Sequence, residues 1–214
     1  MSVPASPAAE PDRWYALEEL SGPKVHLVPL RLEHAAGYHR AARSDRGGEE
    51  VFRWLGSGTA PVTDQQAAAH ILAALAARAR GDRFPYAQLD AQSGEFVGTT
   101  SLYEVDPAAR ALAIGYTWLG RRWWRTGHNT DSKLLLLAHA FDNLGAARVV
   151  WHTDILNERS QRAIARLGAS REGVLRKHRI RTDGTWRDTV QYAMTDDDWP
   201  EARSRLGARL ARSG

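Results

Sequence analysis

The sequence predicts a single mixed α/β sheet, mostly antiparallel, with helices on both faces. Three observations carry that prediction. Strand-like runs follow one another at 84–90 (FPYAQLD), 95–104 (EFVGTTSLYE) and 111–119 (ALAIGYTWL), with separators short enough for antiparallel pairing. Strand and helix patterns then alternate, which suits a mixed sheet covered by helices. The chain has 214 residues, 43% of them apolar, enough for one sizeable core.

In chain order, residues 1–12 read as a flexible tail, because Pro, Ala and Ser dominate there. A short strand is expected at 25–30 (VHLVPL), and a helix at 33–43 ahead of a glycine break at Gly47 and Gly48. Thr63 or Asp64 caps an Ala-rich helix that runs to about Arg80 and stops at Gly81. After the three strands, Leu134, Leu137, Ala138, Phe141 and Leu144 repeat at helical spacing, which predicts a helix over 129–144 closed by Gly145. A strand at 148–154 (RVVWHTD) leads to a helix at 157–167, closed by Gly168. Runs 172–181 and 185–194 form a hairpin around Asp183 and Gly184, and 196–212 is a terminal helix interrupted near Pro200. The expected organisation is a tail at 1–12, one domain at 13–196, and a C-terminal helix or tail at 197–214.

Composition excludes several kinds of chemistry. With no cysteine, there is no disulfide framework, Cys-ligated zinc, iron–sulfur cluster or thiol nucleophile. The 29 Lys and Arg against 25 Asp and Glu leave a net charge of +4, which one basic patch beside an anionic ligand would explain. No run approaches the ~18 apolar residues that span a bilayer. The N-terminus lacks the charged start and apolar stretch of a signal peptide, so a cytoplasmic protein is expected.

Two segments carry chemistry. The strand at 111–119 passes through RRWWRTGHNT (121–130) into the Leu-rich helix. A strand feeding a short basic loop that opens into a helix suits a phosphate, because the first helical N–H groups are unsatisfied and carry partial positive charge. Gly127 lets backbone approach a ligand, Arg121, Arg122 and Arg125 add charge, and Thr126, Asn129 and Thr130 can donate or cap. An ordinary cap with solvated arginines fits these residues as well. In the second segment, HTDILNERSQRAIARLGA (152–169), Asn157 and Ser160 place an amide and a hydroxyl at one helix mouth. Plain capping by Asn157 is the other reading.

Taken together, these segments resemble the GCN5-related N-acetyltransferase (GNAT) superfamily, and within it the branch of ribosomal-protein alanine N-acetyltransferases. The resemblance covers about 25–194 and is most specific in NERSQRAIARLGA (157–169) and REGVLRKH (171–178), supported by DGTWRD (183–188). It implies the GNAT fold, with acyl-CoA lying between two central strands that splay apart, and acetyl-CoA as co-substrate with no metal. The family's pyrophosphate loop falls on Arg122 to Gly127, with Arg125 where the first glycine is usual. The cofactor contacts implied are Thr117, Trp118, Leu119, Arg122, Arg125, Thr126, Gly127, His128, Asn129, Thr130 and Asn157.

Ser160 would protonate the departing thiolate, in a place often held by Tyr elsewhere in the superfamily. A strand N–H near Trp118 would polarise the thioester carbonyl. Glu104 and Asp154 are the candidate bases, acting through water, and His152 shares a strand face with Asp154. Phe52 and Trp54 are acceptor-site candidates. The function implied is direct acetyl transfer from acetyl-CoA to a primary amine, on a protein N-terminus or a small molecule. Another acyl-CoA such as succinyl-CoA, or a CoA-binding regulator without turnover, are the alternatives. Partners are acyl-CoA and the amine, with room for a homodimer and no membrane. The basic stretch 176–187 reads as a solvated hairpin face rather than a nucleic-acid site.

Overall fold

The structure is a computed structural model that describes residues 10–43, 51–55 and 58–212. Residues 1–9 of the expected tail and the glycine break at Gly47 and Gly48 lie outside the described residues. Chain order is α1 (Pro11–Trp14), β1 (Leu20–Ser21), β2 (Val25–Pro29), α2 (Ala35–Ala42, after a 3-10 turn at Leu32–His34), α3 (Asp64–Ala79), β3 (Arg83–Asp90), β4 (Phe96–Asp106) and β5 (Ala111–Leu119). There follow α4 (His128–Ala138), β6 (Arg148–Asp154), α5 (Glu158–Ala165), β7 (Ser170–Ile180), β8 (Trp186–Thr195) and α6 (Trp199–Ala211).

One sheet of eight strands runs in the order β1-β2-β3-β4-β5-β6-β8-β7. Every neighbouring pair is antiparallel except β5 and β6, which are parallel. One core cluster joins α4, α6 and Trp14 to Leu112, Ile114, Val149 and Trp151; the other sets α2 and α3 on Ala87, Phe96 and Trp118. The two faces of the sheet therefore carry separate apolar layers, as alternating side chains require.

Several expectations change at their edges. The expected tail at 1–12 runs too far, because α1 begins at Pro11 and its Trp14 is fully buried in the core. Pro200 does not interrupt a helix. It occupies the first turn of α6, where its missing N–H has no partner to lose. That helix buries Trp199, Ala202 and Leu206 in the main core. The Leu-rich helix is α-helical to Ala138 and continues as a π turn over His139–Asn143.

Two bulges shape the middle of the sheet. Between Thr99 and Ser101 the register gains a residue on β5, and Tyr116 takes a positive φ of 51° there. Between Tyr103 and Asp106 the extra residue is on β4, where Glu104 has φ 49°. Left-handed backbone at a non-glycine residue is strained by about 1–2 kcal/mol and persists only where its surroundings hold it.

Candidate active site

The parallel strands β5 and β6 pair only over Ala111, Leu112 and Ala113 against Arg148, Val149 and Val150. Beyond those three residues they part. Ile114 to Leu119 on one side and Trp151 to Asp154 on the other become walls of a cleft of about 2640 Å³. In a strand, a residue's N–H and C=O face the same edge. The Trp118 carbonyl faces β4, and Gln88 Nε2 reaches over from β3 to donate to it at 3.3 Å, so the groups turned into the gap are those of Thr117 and Leu119. The Leu119 carbonyl already accepts from Trp124 Nε1 at 2.8 Å. The Trp118 side chain points the other way, into the aromatic packing of Tyr38, Phe52 and Phe96.

At the mouth of the split, Gly127 (φ 92°) is the N-cap of α4 and makes no side-chain cap hydrogen bond. The helix thus opens with unsatisfied N–H groups, which is the arrangement that receives an anion. Arg125 adopts φ 64°, the left-handed conformation that glycine takes freely. The loop keeps a glycine-type path although the residue is arginine, and Arg125 lines the cleft with Asn129. The second helix mouth differs. Asn157 Oδ1 accepts from Ser160 N–H at 3.1 Å, an ordinary N-cap, while both residues still line the cleft.

Other residues singled out in the sequence have structural partners. Arg122 leaves the cleft to pair with Glu95 Oε2 at 2.6 Å and lies over the Trp123 ring. His128 is buried, bridging Asp90 Oδ1 at 2.8 Å and Thr126 Oγ1 at 2.7 Å. Thr126 in turn donates to the Trp123 carbonyl, so this pair ties the loop to the end of β3. Hydrogen bonds from Ser93 and His128 hold the Asp90 carboxyl down at about 2 against the burial that would raise it. Thr130 is half-buried on α4 and is not part of the cleft wall. Phe52 is fully buried under the aromatic cluster, whereas Trp54 faces the cleft.

The two candidate bases separate clearly. Asp154 is buried and grips Arg181 through two bonds, from Nε at 2.7 Å and from Nη2 at 3.0 Å, and also accepts from Leu156 N–H. Those bonds outweigh burial and lower its pKa, so it is a poor proton acceptor and a good clamp between β6 and the turn that follows β7. Glu104 is half-exposed at its bulge, with Oε2 3.7 Å from His152 Nδ1 and Oε1 3.8 Å from Arg179. Gln191 donates its amide N–H to Glu172, which leaves Gln191 Oε1 to accept from His152 Nε2 at 3.2 Å. His152 Nδ1 is then the acceptor and takes the Tyr103 hydroxyl at 3.0 Å. Tyr103 and His152 both line the cleft.

Tyr103 and Lys133 are cleft residues that passed unnoticed in the sequence. Lys133, on α4 one turn beyond Asn129, is buried with its ammonium donating to Thr117 Oγ1 at 2.7 Å and Thr100 Oγ1 at 3.0 Å. The available signal was a charge on the same helical stripe as Leu137, Ala140 and Leu144.

A sheet split between parallel strands, with an uncapped helix N-terminus beside the split, defines an acyl-CoA-dependent N-acyltransferase. Residues 24–170 match the model of the acetyltransferase (GNAT) domain, and this chain belongs to that family. It is an acetyltransferase. It is 30% identical over 149 residues to an uncharacterised N-acetyltransferase, YoaA of Bacillus subtilis, covering 68% of this chain and 81% of that protein. The ribosomal protein uS5-alanine N-acetyltransferase of Escherichia coli is 26% identical over 58% of this chain and 63% of its own length. The structure of a putative acetyltransferase from T. thermophilus superposes with a TM-score of 0.80 at 38% identity, covering 91% of this chain and 98% of that one.

Proposed function

We propose that this chain transfers the acetyl group of acetyl-CoA directly to a primary amine, with no acyl-enzyme. The observation that carries the reading is the parting of β5 and β6 after three paired residues, beside an uncapped α4. The diphosphate sits at the α4 N-terminus with Arg125 beside it, and the pantetheine arm follows the gap-facing backbone of Thr117 and Leu119 like an added strand. The amine nitrogen attacks the thioester carbon, the C–S bond breaks, and Ser160 protonates the departing sulfur. The ammonium proton passes through water to His152 Nδ1, which takes it once the Tyr103 hydroxyl turns aside, and Ser160 regains its own proton from solvent. Asp154 takes no proton in this scheme. It braces the cleft wall through Arg181.

Similarity to the uS5-alanine N-acetyltransferase makes a peptide N-terminus the first acceptor to test, ahead of small amines. The test follows free thiol release with acetyl-, propionyl- and succinyl-CoA against Ala-initiated peptides and small primary amines. Thiol release that is fastest with acetyl-CoA, and depends on an unblocked amine, is the expected result. Tight CoA binding with no thiol release from any pair would overturn it in favour of a regulatory CoA-binding role.

A further inference from the structure

Lys133 is the least expected group in the cleft. Its side chain is buried, and among the described residues no carboxylate lies within ion-pair distance of it. Burial without such a partner lowers its pKa to about 7. A buried cation without a counter-charge is destabilising, and an acceptor brought beside it by a ligand would offset part of that cost.

The hydrogen-bond count shows what is left over. Thr117 Oγ1 has a place for its own proton on the Gly115 carbonyl, at 3.3 Å, and Thr100 Oγ1 lies 2.8 Å from Thr117 Oγ1. Thr100 therefore donates to Thr117, and both hydroxyl oxygens accept from Lys133. In its ammonium form, which a carbonyl acceptor favours, Lys133 has three donors, so one remains after these two. Lys133 lines the cleft beside Thr117, one helical turn (~6 Å) beyond Asn129 at the helix mouth. A ligand whose diphosphate sits at that mouth presents, about one turn deeper, the amide carbonyls of its pantetheine arm.

We infer that Lys133 is an acyl-CoA-binding residue whose remaining N–H donates to a pantetheine amide carbonyl, held in place by the Thr100–Thr117 hydroxyl pair. The assignment rests on the acyl-CoA reading above. It separates the residue's task from that of Arg125: Arg125 meets the phosphates, and Lys133 meets the neutral arm that carries the thioester.

The experiment compares two ligands by calorimetry, CoA itself and 3′-phosphoadenosine 5′-diphosphate, which lacks the pantetheine arm. Lys133→Met should weaken CoA by about tenfold or more, the loss of one hydrogen bond from a charged donor, and leave the truncated nucleotide unaffected. In steady-state assays the KM for acetyl-CoA should rise in parallel while the KM for the amine stays unchanged. Thermal melting checks the fold, and Lys133→Gln, which retains donors for the threonines, serves if the Met variant melts early. Equal weakening of both ligands, or no weakening of either, would overturn the assignment. Wild-type protein that binds neither ligand would instead sink the acyl-CoA reading, and the assignment with it.

Discussion

At the residue scale, the structure sorts polar side chains into those that meet the cleft and those that hold its walls. Ser160 belongs to the first group, because its N–H is spent on the Asn157 cap but the residue still lines the cleft. Ser160→Ala should lower kcat by about 10²-fold with CoA affinity nearly unchanged, read by thiol release and by calorimetry. Unchanged turnover would remove Ser160 from the acid role. Arg125 combines charge with backbone strain at φ 64°. Arg125→Gly should raise stability by up to about 1 kcal/mol while weakening CoA binding in a salt-dependent way, since one charge is lost and one left-handed residue relaxed. Asp154 belongs to the wall. Its folded pKa is lowered, so its contribution is present above the unfolded value near ~4 and is lost as pH falls through the folded value. Asp154→Asn should cost about 3 kcal/mol at neutral pH and flatten the acid limb of a melting series, because it leaves Arg181 without its carboxylate.

At the scale of elements, the two helix mouths show how far local reading reaches. Both were legible as helix starts after strands, and both admitted a cap or a ligand. The choice depends on whether a side chain reaches back: Asn157 does, while Gly127 has none, leaving α4 open. The β4–β5 pair shows a second limit. Tyr116 and Glu104 mark bulges that no local preference announces, since neither residue favours positive φ. Their conformations come from the mismatch of the two strands across the pair. Gly98 is required by the same contact, because a Cβ there would lie 2.0 Å from the Trp118 carbonyl oxygen. Gly98→Ala should therefore destabilise by about 3 kcal/mol through backbone displacement, checked by denaturant melts. It should also weaken acetyl-CoA binding, because β5 carries the gap-facing groups.

At the scale of the whole molecule, the last helix belongs with the core. A chain ended at Asp198 loses Trp199 and Leu206, two nearly fully buried side chains worth about 1.5–3 kcal/mol each, before any cavity term. Against a typical total of about 5–15 kcal/mol, that truncation should give protein that is insoluble or melts far below the full chain. A truncated chain with the parent Tm would return residues 197–214 to the status of an appendage. The sequence by itself determined the α/β class, the order of the strands and helices from β2 onward, the two helix mouths and the family, because periodicity, caps and turn residues act between neighbours in the chain. Only the tertiary structure decided where β5 and β6 part, that Asp154 is clamped by Arg181, that His128 and Arg122 hold the loop from outside, and that Lys133 reaches the cleft. Each of those outcomes depends on partners tens of residues away, whose approach is set by sheet register and packing rather than by local preference.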